Sequence, residues 1–209
     1  MISENSLINN QGNIPADVKT AEITISGDNN NFVARAEKVE NNVTIMLSNP
    51  RSRRGENSTR ISLNTDCYHL FVVSGEDFLE PYFLVPKDRA LTESTNDELK
   101  RKYATLRPEA IKELKRYPAI FADKNHLFGK TNDEQNAYLG IITDVKIQDN
   151  GIKIYYRIFT AIPQRILNEQ GFEFGICGAK SFNELNRTHW ALKQINLKEA
   201  LQKTGIQFL

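Results

Sequence analysis

The sequence predicts an α+β protein in which a short helical connector joins two β-rich parts. Residues 21–86 carry apolar runs and the two-residue alternation of strands, whereas residues 93–117 have the three-to-four-residue period of helices. Strand patterns return after Pro118. We therefore predict an irregular arm at residues 1–17, a mixed β-sheet domain at 18–92, a helical connector at 93–117 and a small, barrel-like β-rich domain at 118–209.

Composition and charge are those of a soluble globular protein. Of the 209 residues, 40% are hydrophobic and 25% are charged, and the net charge is only +1, so any attraction to nucleic acid needs a local basic patch. No apolar run approaches the roughly 18 residues of a membrane span, and the polar N-terminus lacks a signal peptide, so we expect no membrane partner. Cys67 and Cys177 are far apart in the sequence, which predicts buried thiols, no disulfide and a cytoplasmic location.

Five strands are predicted in the first part, after an arm rich in Asn, Ser and Gly. The first three alternate in polarity or end at turn signals. The last two are continuously apolar, which predicts strands that are buried on both faces. A basic loop, residues 51–60, precedes these two. The predicted strands are residues 21–26, 31–39, 42–47, 68–73 and 81–86.

Two short helices are predicted in the connector. Thr95 is followed three residues later by Glu98, the spacing of a capping box, which predicts that the first helix begins there. Pro108 stands where a first helical residue is expected, and Pro118 is expected to stop the second helix.

A β-hairpin is the clearest feature of the second part. Its strands are predicted at residues 137–147 and 152–159, and Asn150-Gly151 between them is the strongest short hairpin signal. Alternation along the first strand predicts one shared apolar face, formed by Leu139, Ile141, Val145 and Ile147.

Four further elements are predicted towards the C-terminus. A short helix covers residues 162–171, and strands follow at 172–176 and 188–195. A last helix spans residues 196–205, with Asn196 as its N-cap.

Two stretches within residues 27–86 resemble a known nuclease family. These are "GDNNNFVARAEKVENNVTIMLSNPRSRR" and "YHLFVVSGEDFLEPYFLVP", which resemble the metal-binding hairpin and the following core strands of restriction-endonuclease-like, or PD-(D/E)xK, nucleases. The resemblance implies a nuclease-like mixed sheet. In that family an acidic residue on one strand, and a carboxylate and a lysine two positions apart on the next, hold Mg²⁺ and orient the attacking water.

The positions that match this motif lack its chemical groups. The acidic position falls on Val33 or Ala34, the second carboxylate on Met46 and the lysine on Ser48. The resemblance therefore implies a degenerate nuclease domain with no catalytic residues, no metal and no cofactor. An alternative is an active metal-dependent nuclease whose ligands have moved to Asp28, Glu37 and Glu40.

Basic residues remain where the degenerate site would have faced a phosphate. The basic loop carries Arg51, Arg53, Arg54 and Arg60, and guanidinium groups bind phosphates bidentately. We therefore expect contact with DNA or RNA through these four residues. The alternatives are a solvated loop and a purely protein–protein interaction module.

The string "FNELNRTHWALKQINL", residues 182–197, resembles uncharacterised bacterial proteins that are encoded near phage-defence genes. The resemblance implies a partner protein in a bacterial anti-phage defence complex. Glu184 and His189 suggest acid–base chemistry or metal binding. The alternative is that Trp190 and Leu192 pack inward and leave His189 as a structural residue on the opposite face.

Overall fold

The computed structural model describes residues 41–47, 59–91, 93–176 and 183–208. These residues lie within one compact unit, Glu40–Leu209. The predicted arm at residues 1–17 and the strands predicted at 21–26 and 31–39 fall outside the described residues.

The described residues confirm a mixed α+β fold in which sheet predominates. The strands are β1 (Asn42–Leu47), β2 (Thr59–Asn64), β3 (Tyr68–Val72), β4 (Tyr82–Val85), β5 (Pro118–Ala122), β6 (Asn136–Gln148), β7 (Gly151–Pro163) and β8 (His189–Lys193). The helices are α1 (Asp97–Tyr103), α2 (Pro108–Leu114), α3 (Gln164–Glu169) and α4 (Leu197–Lys203), with short 3-10 turns at Lys87–Arg89 and Glu184–Asn186. None of these described helices is long and apolar enough to cross a membrane.

Six strands form one curled sheet, a half-barrel, in the order β4-β7-β6-β5-β3-β8. Only β3 and β5 pair in parallel, and the other neighbours of this sheet are antiparallel. A parallel pair needs a crossover connection, and β4, α1 and α2 lie in the chain between β3 and β5. The segments on both sides of the predicted connector therefore share one sheet.

Hydrophobic cores cover both faces of β3 and β5, and every residue of these two strands is buried. Phe71, Phe121 and Trp190 lie in the core on one side, whereas Leu70 and Ile120 lie in the other. This confirms the prediction for residues 68–73. The same prediction is wrong for residues 81–86, because β4 is an edge strand that buries only alternate side chains.

Two β-bulges interrupt the pairing of β6 with β7, between Leu139 and Gly140 and between Ile142 and Asp144. The extra residue of the first bulge is Phe159 on β7, whereas that of the second is Thr143 on β6, so only the second bulge moves the following side chains of β6 to the other face. Leu139 therefore packs in one core and Val145 in the other. The predicted single apolar face is wrong, and Ile147 is 54% exposed.

Two segments differ from their predictions. Thr59 and Arg60, predicted in the basic loop at residues 51–60, belong to β2, which pairs with β1. The predicted strand at residues 172–176 forms turns instead, because Gly175 adopts a left-handed conformation with φ of 61°.

Helix ends follow local hydrogen bonding. Asn196 caps α4 as predicted, accepting a hydrogen bond from the Glu199 backbone, and Pro108 begins α2. At α1 the cap is Asn96 rather than Thr95. The Thr95 hydroxyl instead accepts a hydrogen bond from the Leu192 backbone N–H at 3.0 Å, and this contact joins the helical segment to β8.

A cysteine and a histidine are buried at the start of β3. Cys67 directly precedes this strand and is buried, as predicted. Cys177 lies outside the described residues. His69 is completely buried, and its Nδ1 accepts a hydrogen bond from the Trp190 indole at 3.1 Å. Its Nε2–H therefore donates to the Leu114 carbonyl at 2.9 Å. Burial lowers the pKa of His69 to about 4.

This buried imidazole predicts a pH dependence of stability. Below its unfolded-state pKa of about 6.5, His69 takes up a proton in the unfolded chain but stays neutral in the folded one. The unfolded state then binds more protons, so stability is complete above about pH 6.5 and falls as the pH decreases towards 4. We expect His69 to account for a loss of about 2 kcal/mol in the free energy of unfolding between pH 6.5 and 5.

Urea unfolding across this pH range measures the effect. The His69→Gln variant should show a flatter decline, since its amide can keep both hydrogen bonds but does not titrate. His126→Gln, at an exposed position, is the matched control and should keep the wild-type pH dependence. The same slope in wild type and His69→Gln would contradict the assignment.

Candidate functional site

The arginine hairpin, defined as β1, β2 and the connecting residues 48–58, carries the predicted nucleic-acid contacts. Leu47 pairs with Thr59 at the end of the hairpin from which the connection leaves, and Arg60 is exposed one position further along β2. At the opposite end, the Asn64 backbone N–H donates to the Arg116 carbonyl at 2.8 Å. Arg51, Arg53 and Arg54 lie in the connection, outside the described residues.

The positions of the degenerate nuclease motif are only partly described. Met46 lies in β1, where its Cα partner across the hairpin is Arg60. The convergence of these positions at one sheet edge stays a prediction, since Val33, Ala34 and Ser48 lie outside the described residues, as do Asp28, Glu37 and Glu40. Within the described ranges, no group of three or more His, Cys, Asp or Glu side chains is arranged to hold a metal ion.

The structure brings Glu184 and His189 together and adds Lys193, which the sequence pattern had not indicated as a site residue. Trp190 and Leu192 pack inward, as predicted, in the core that contains Phe71 and Phe121. His189 and Lys193 project from the other face of β8. A signal for Lys193 was present in the sequence, because this residue stands four positions after His189 and therefore shares its face.

This buried ionic cluster, Glu184, His189 and Lys193, is tightly connected. The Lys193 ammonium lies 2.7 and 2.6 Å from the two Glu184 carboxylate oxygens and donates to the Gly175 carbonyl at 2.9 Å. His189 Nδ1–H donates to the Arg187 carbonyl at 2.8 Å, and its Nε2 lies 3.4 Å from Glu184 Oε2. Burial lowers the pKa of Lys193, and the Glu184 carboxylate opposes this effect.

Enclosure gives the ionic cluster a structural role. Its three side chains are between 2% and 7% exposed, so a substrate has no direct access to them. The cluster connects β8 to the 3-10 turn at Glu184–Asn186 and to the turn at Gly175. This outcome agrees with the structural alternative for His189.

A cluster of side-chain amides is a second set of interacting polar residues that the sequence pattern did not indicate. Asn125 Nδ2 donates to Asn168 at 2.8 Å, and Gln164 Nε2 donates to the Asp123 carbonyl at 2.7 Å. Asn186 accepts from the Gly129 backbone N–H at 3.1 Å. These bonds hold the segment after β5 against α3 and the 3-10 turn, so we assign them to loop positioning.

No protein-family model, curated protein or solved structure matches the chain. The resemblance of residues 27–86 to PD-(D/E)xK nucleases therefore stays a prediction, as does that of the C-terminal half to defence-associated proteins. Any function assigned to the chain rests on its own residues.

Proposed function

We propose that this chain is a non-catalytic binding protein, an accessory subunit of a bacterial anti-phage defence complex, and that its arginine hairpin contacts DNA or RNA. The observation that carries the nucleic-acid contact is the exposed Arg60, paired in β2 beside the end of the hairpin that bears the three other arginines.

Charge supports phosphate as the ligand of this hairpin. Residues 41–64 contain four arginines and one acidic residue, Glu56, whereas the whole chain is nearly neutral. A local cluster of guanidinium groups binds phosphates bidentately and displaces condensed counterions. The hairpin therefore concentrates the positive charge that nucleic-acid binding requires.

The proposal of a non-catalytic role rests on the resemblance to nucleases. A methionine thioether at Met46 is a poor ligand for a hard cation such as Mg²⁺. The hydroxyl of Ser48 does not replace the charge of a lysine. A nuclease-like domain that has these side chains keeps a phosphate-binding surface without the groups that cleave.

Oligonucleotide binding, followed by fluorescence anisotropy at several salt concentrations, tests the arginine hairpin. The variant with Arg51, Arg53 and Arg54 changed to Ala should bind about tenfold or more weakly, and its dependence on salt should be shallower by roughly 0.7–0.9 for each phosphate that is no longer neutralised. A matched control changes Arg101, Lys124 and Lys130 to Ala, which removes the same charge from exposed positions outside the hairpin.

Two outcomes would replace the proposal. Equal decreases in affinity for both variants, or no binding by the wild type, would favour a purely protein–protein interaction module. Cleavage that needs Mg²⁺ or Mn²⁺ and disappears in Glu37→Ala would favour an active nuclease with relocated ligands.

A further inference from the structure

The outer sheet face, defined as Tyr82, Leu84, Lys146, Lys153 and Tyr155, combines aromatic and basic side chains on β4, β7 and β6, of which Lys153 and Tyr155 are half-buried and the others exposed. Tyr82 and Leu84 are each 37% exposed and alternate along β4 with side chains that are buried in the core. Tyr155 pairs with Tyr82, and Lys153 lies between Leu84 and Lys146. This surface is therefore separate from the packing of the core.

Two tyrosine rings and two ammonium groups are in contact on this face. The ring centroids of Tyr82 and Tyr155 are 5.6 Å apart. The Lys153 ammonium lies 3.9 Å from the Tyr82 centroid, and the Lys146 ammonium lies 5.1 Å from the Tyr155 centroid. Neither ammonium group forms a salt bridge with a carboxylate in the described parts of the chain, although Asp144 is the pairing partner of Tyr155.

We propose that the outer sheet face binds single-stranded nucleic acid, with bases stacked on Tyr82 and Tyr155 and phosphates paired with Lys146 and Lys153. This inference rests on the proposed function, because it adds a second contact to that of the arginine hairpin and names the form of nucleic acid. Aromatic rings on a basic surface bind single strands in this way, since every base has a face that can stack.

The charge of the face matches this ligand. The lysine ammonium groups lie against the tyrosine rings through cation–π contacts, which are weak at exposed sites. A base that stacks on a ring displaces its ammonium group, and the flexible lysine side chain can then pair with the adjacent phosphate. One surface thus supplies both contacts that a nucleotide needs.

Two observations favour a single strand over other occupants. In a duplex the bases are stacked on one another, so only unpaired bases present free faces to an aromatic side chain. Addition of a partner strand to the β4 edge is disfavoured, because Pro81 and Pro86 flank the four-residue strand and lack the N–H groups for pairing.

Binding of the full chain to oligo(dT), and to a duplex of the same length, tests the inference. The wild type should prefer the single strand. Changing Tyr82 and Tyr155 together to Ala should weaken binding of the single strand roughly tenfold or more, whereas changing both to Phe should keep it, because stacking needs the ring and not the hydroxyl. Changing Lys146 and Lys153 to Ala should lower the salt slope by about 1.4, or 0.7 for each phosphate paired with a lysine.

A control variant and a fluorescence readout test whether the change in affinity comes from this surface. Changing Phe128 and Phe172 to Ala removes two aromatic side chains, 53% and 82% exposed, and should leave affinity unchanged. Tyr82→Trp supplies a readout that does not depend on truncation, since oligo(dT) stacked on the new indole should quench its fluorescence.

The outcomes separate this inference from the proposed function. Unchanged affinity in the double Tyr→Ala variant, with weaker binding by the arginine variant, overturns the outer face and leaves the arginine hairpin in place. Weaker binding by the tyrosine variant alone supports the outer face and overturns the role of the hairpin. Unchanged affinity in both the tyrosine and the arginine variants, or no binding by the wild type, overturns both proposals. Equal decreases in affinity when Tyr82 and Tyr155 are changed to Phe and when they are changed to Ala overturn the stacking of bases on these rings.

Discussion

Replacing Lys193 with Met should lower the free energy of unfolding by about 3–5 kcal/mol. The substitution removes the ammonium group that lies within 2.7 Å of both carboxylate oxygens of Glu184, and it leaves that carboxylate only 5% exposed. A buried charge without its partner lacks both water and the compensating attraction. Urea unfolding followed by the fluorescence of the buried Trp190 measures the change.

Two further variants show whether the destabilisation comes from the buried ion pair. Changing Glu184 to Leu as well as Lys193 to Met removes both charges and should restore most of the stability, because buried ion pairs are often replaced by apolar residues without cost. Glu169→Gln breaks the pair with Arg165, in which both side chains are more than half exposed, and should change stability by less than about 1 kcal/mol. Wild-type stability in Lys193→Met would rule out the enclosed cluster.

Gly140→Ala should destabilise the protein by at least about 3 kcal/mol, among the larger effects of a single substitution. A Cβ atom at Gly140 would lie 2.1 Å from the Arg157 carbonyl oxygen and 3.0 Å from the Phe121 ring. The carbonyl belongs to the neighbouring strand β7, so the pairing of the two longest described strands would have to shift at the bulge. Such a shift disturbs ladder hydrogen bonds as well as packing.

Gly75→Ala is the matched control for this effect. A Cβ atom at Gly75 would have no neighbour within 4 Å, but its φ of 75° is unfavourable for alanine. We expect a decrease in stability of about 1 kcal/mol from backbone strain alone. Urea unfolding of both variants compares the two glycines, and an equally small decrease at Gly140 would mean that the bulge does not have the close approach described.

Local chemistry accounts for the elements that the sequence predicted well. The β6–β7 hairpin forms as predicted, although its two turn residues are Asp149 and Asn150 and Gly151 already belongs to β7. Pro108 begins α2, and the Asn196 side chain caps α4. In each case the residues that determine the structure are within a few positions of one another. Such signals are legible in one sequence because they depend on φ preferences and on nearby hydrogen bonds.

Errors arose where a distant contact competes with a local signal. Thr95 has the spacing of a capping box with Glu98, yet its hydroxyl binds the backbone of Leu192. The run at residues 172–176 has the composition of a strand but forms turns beside the ionic cluster, where the Gly175 carbonyl accepts from Lys193. Both contacts join residues that a sequence pattern does not bring together.

By itself, the sequence determined the α+β class, most of the described strand and helix positions, and the inward packing of Trp190, because these depend on local periodicity. The tertiary structure alone decided that strands on both sides of the helices form one sheet, that a bulge at Thr143 divides β6 between two cores, and that Tyr82 lies beside Tyr155. The physical reason is that strand pairing and register are set by backbone hydrogen bonds between distant segments. A shift of a single register position moves every side chain of a strand to the other face.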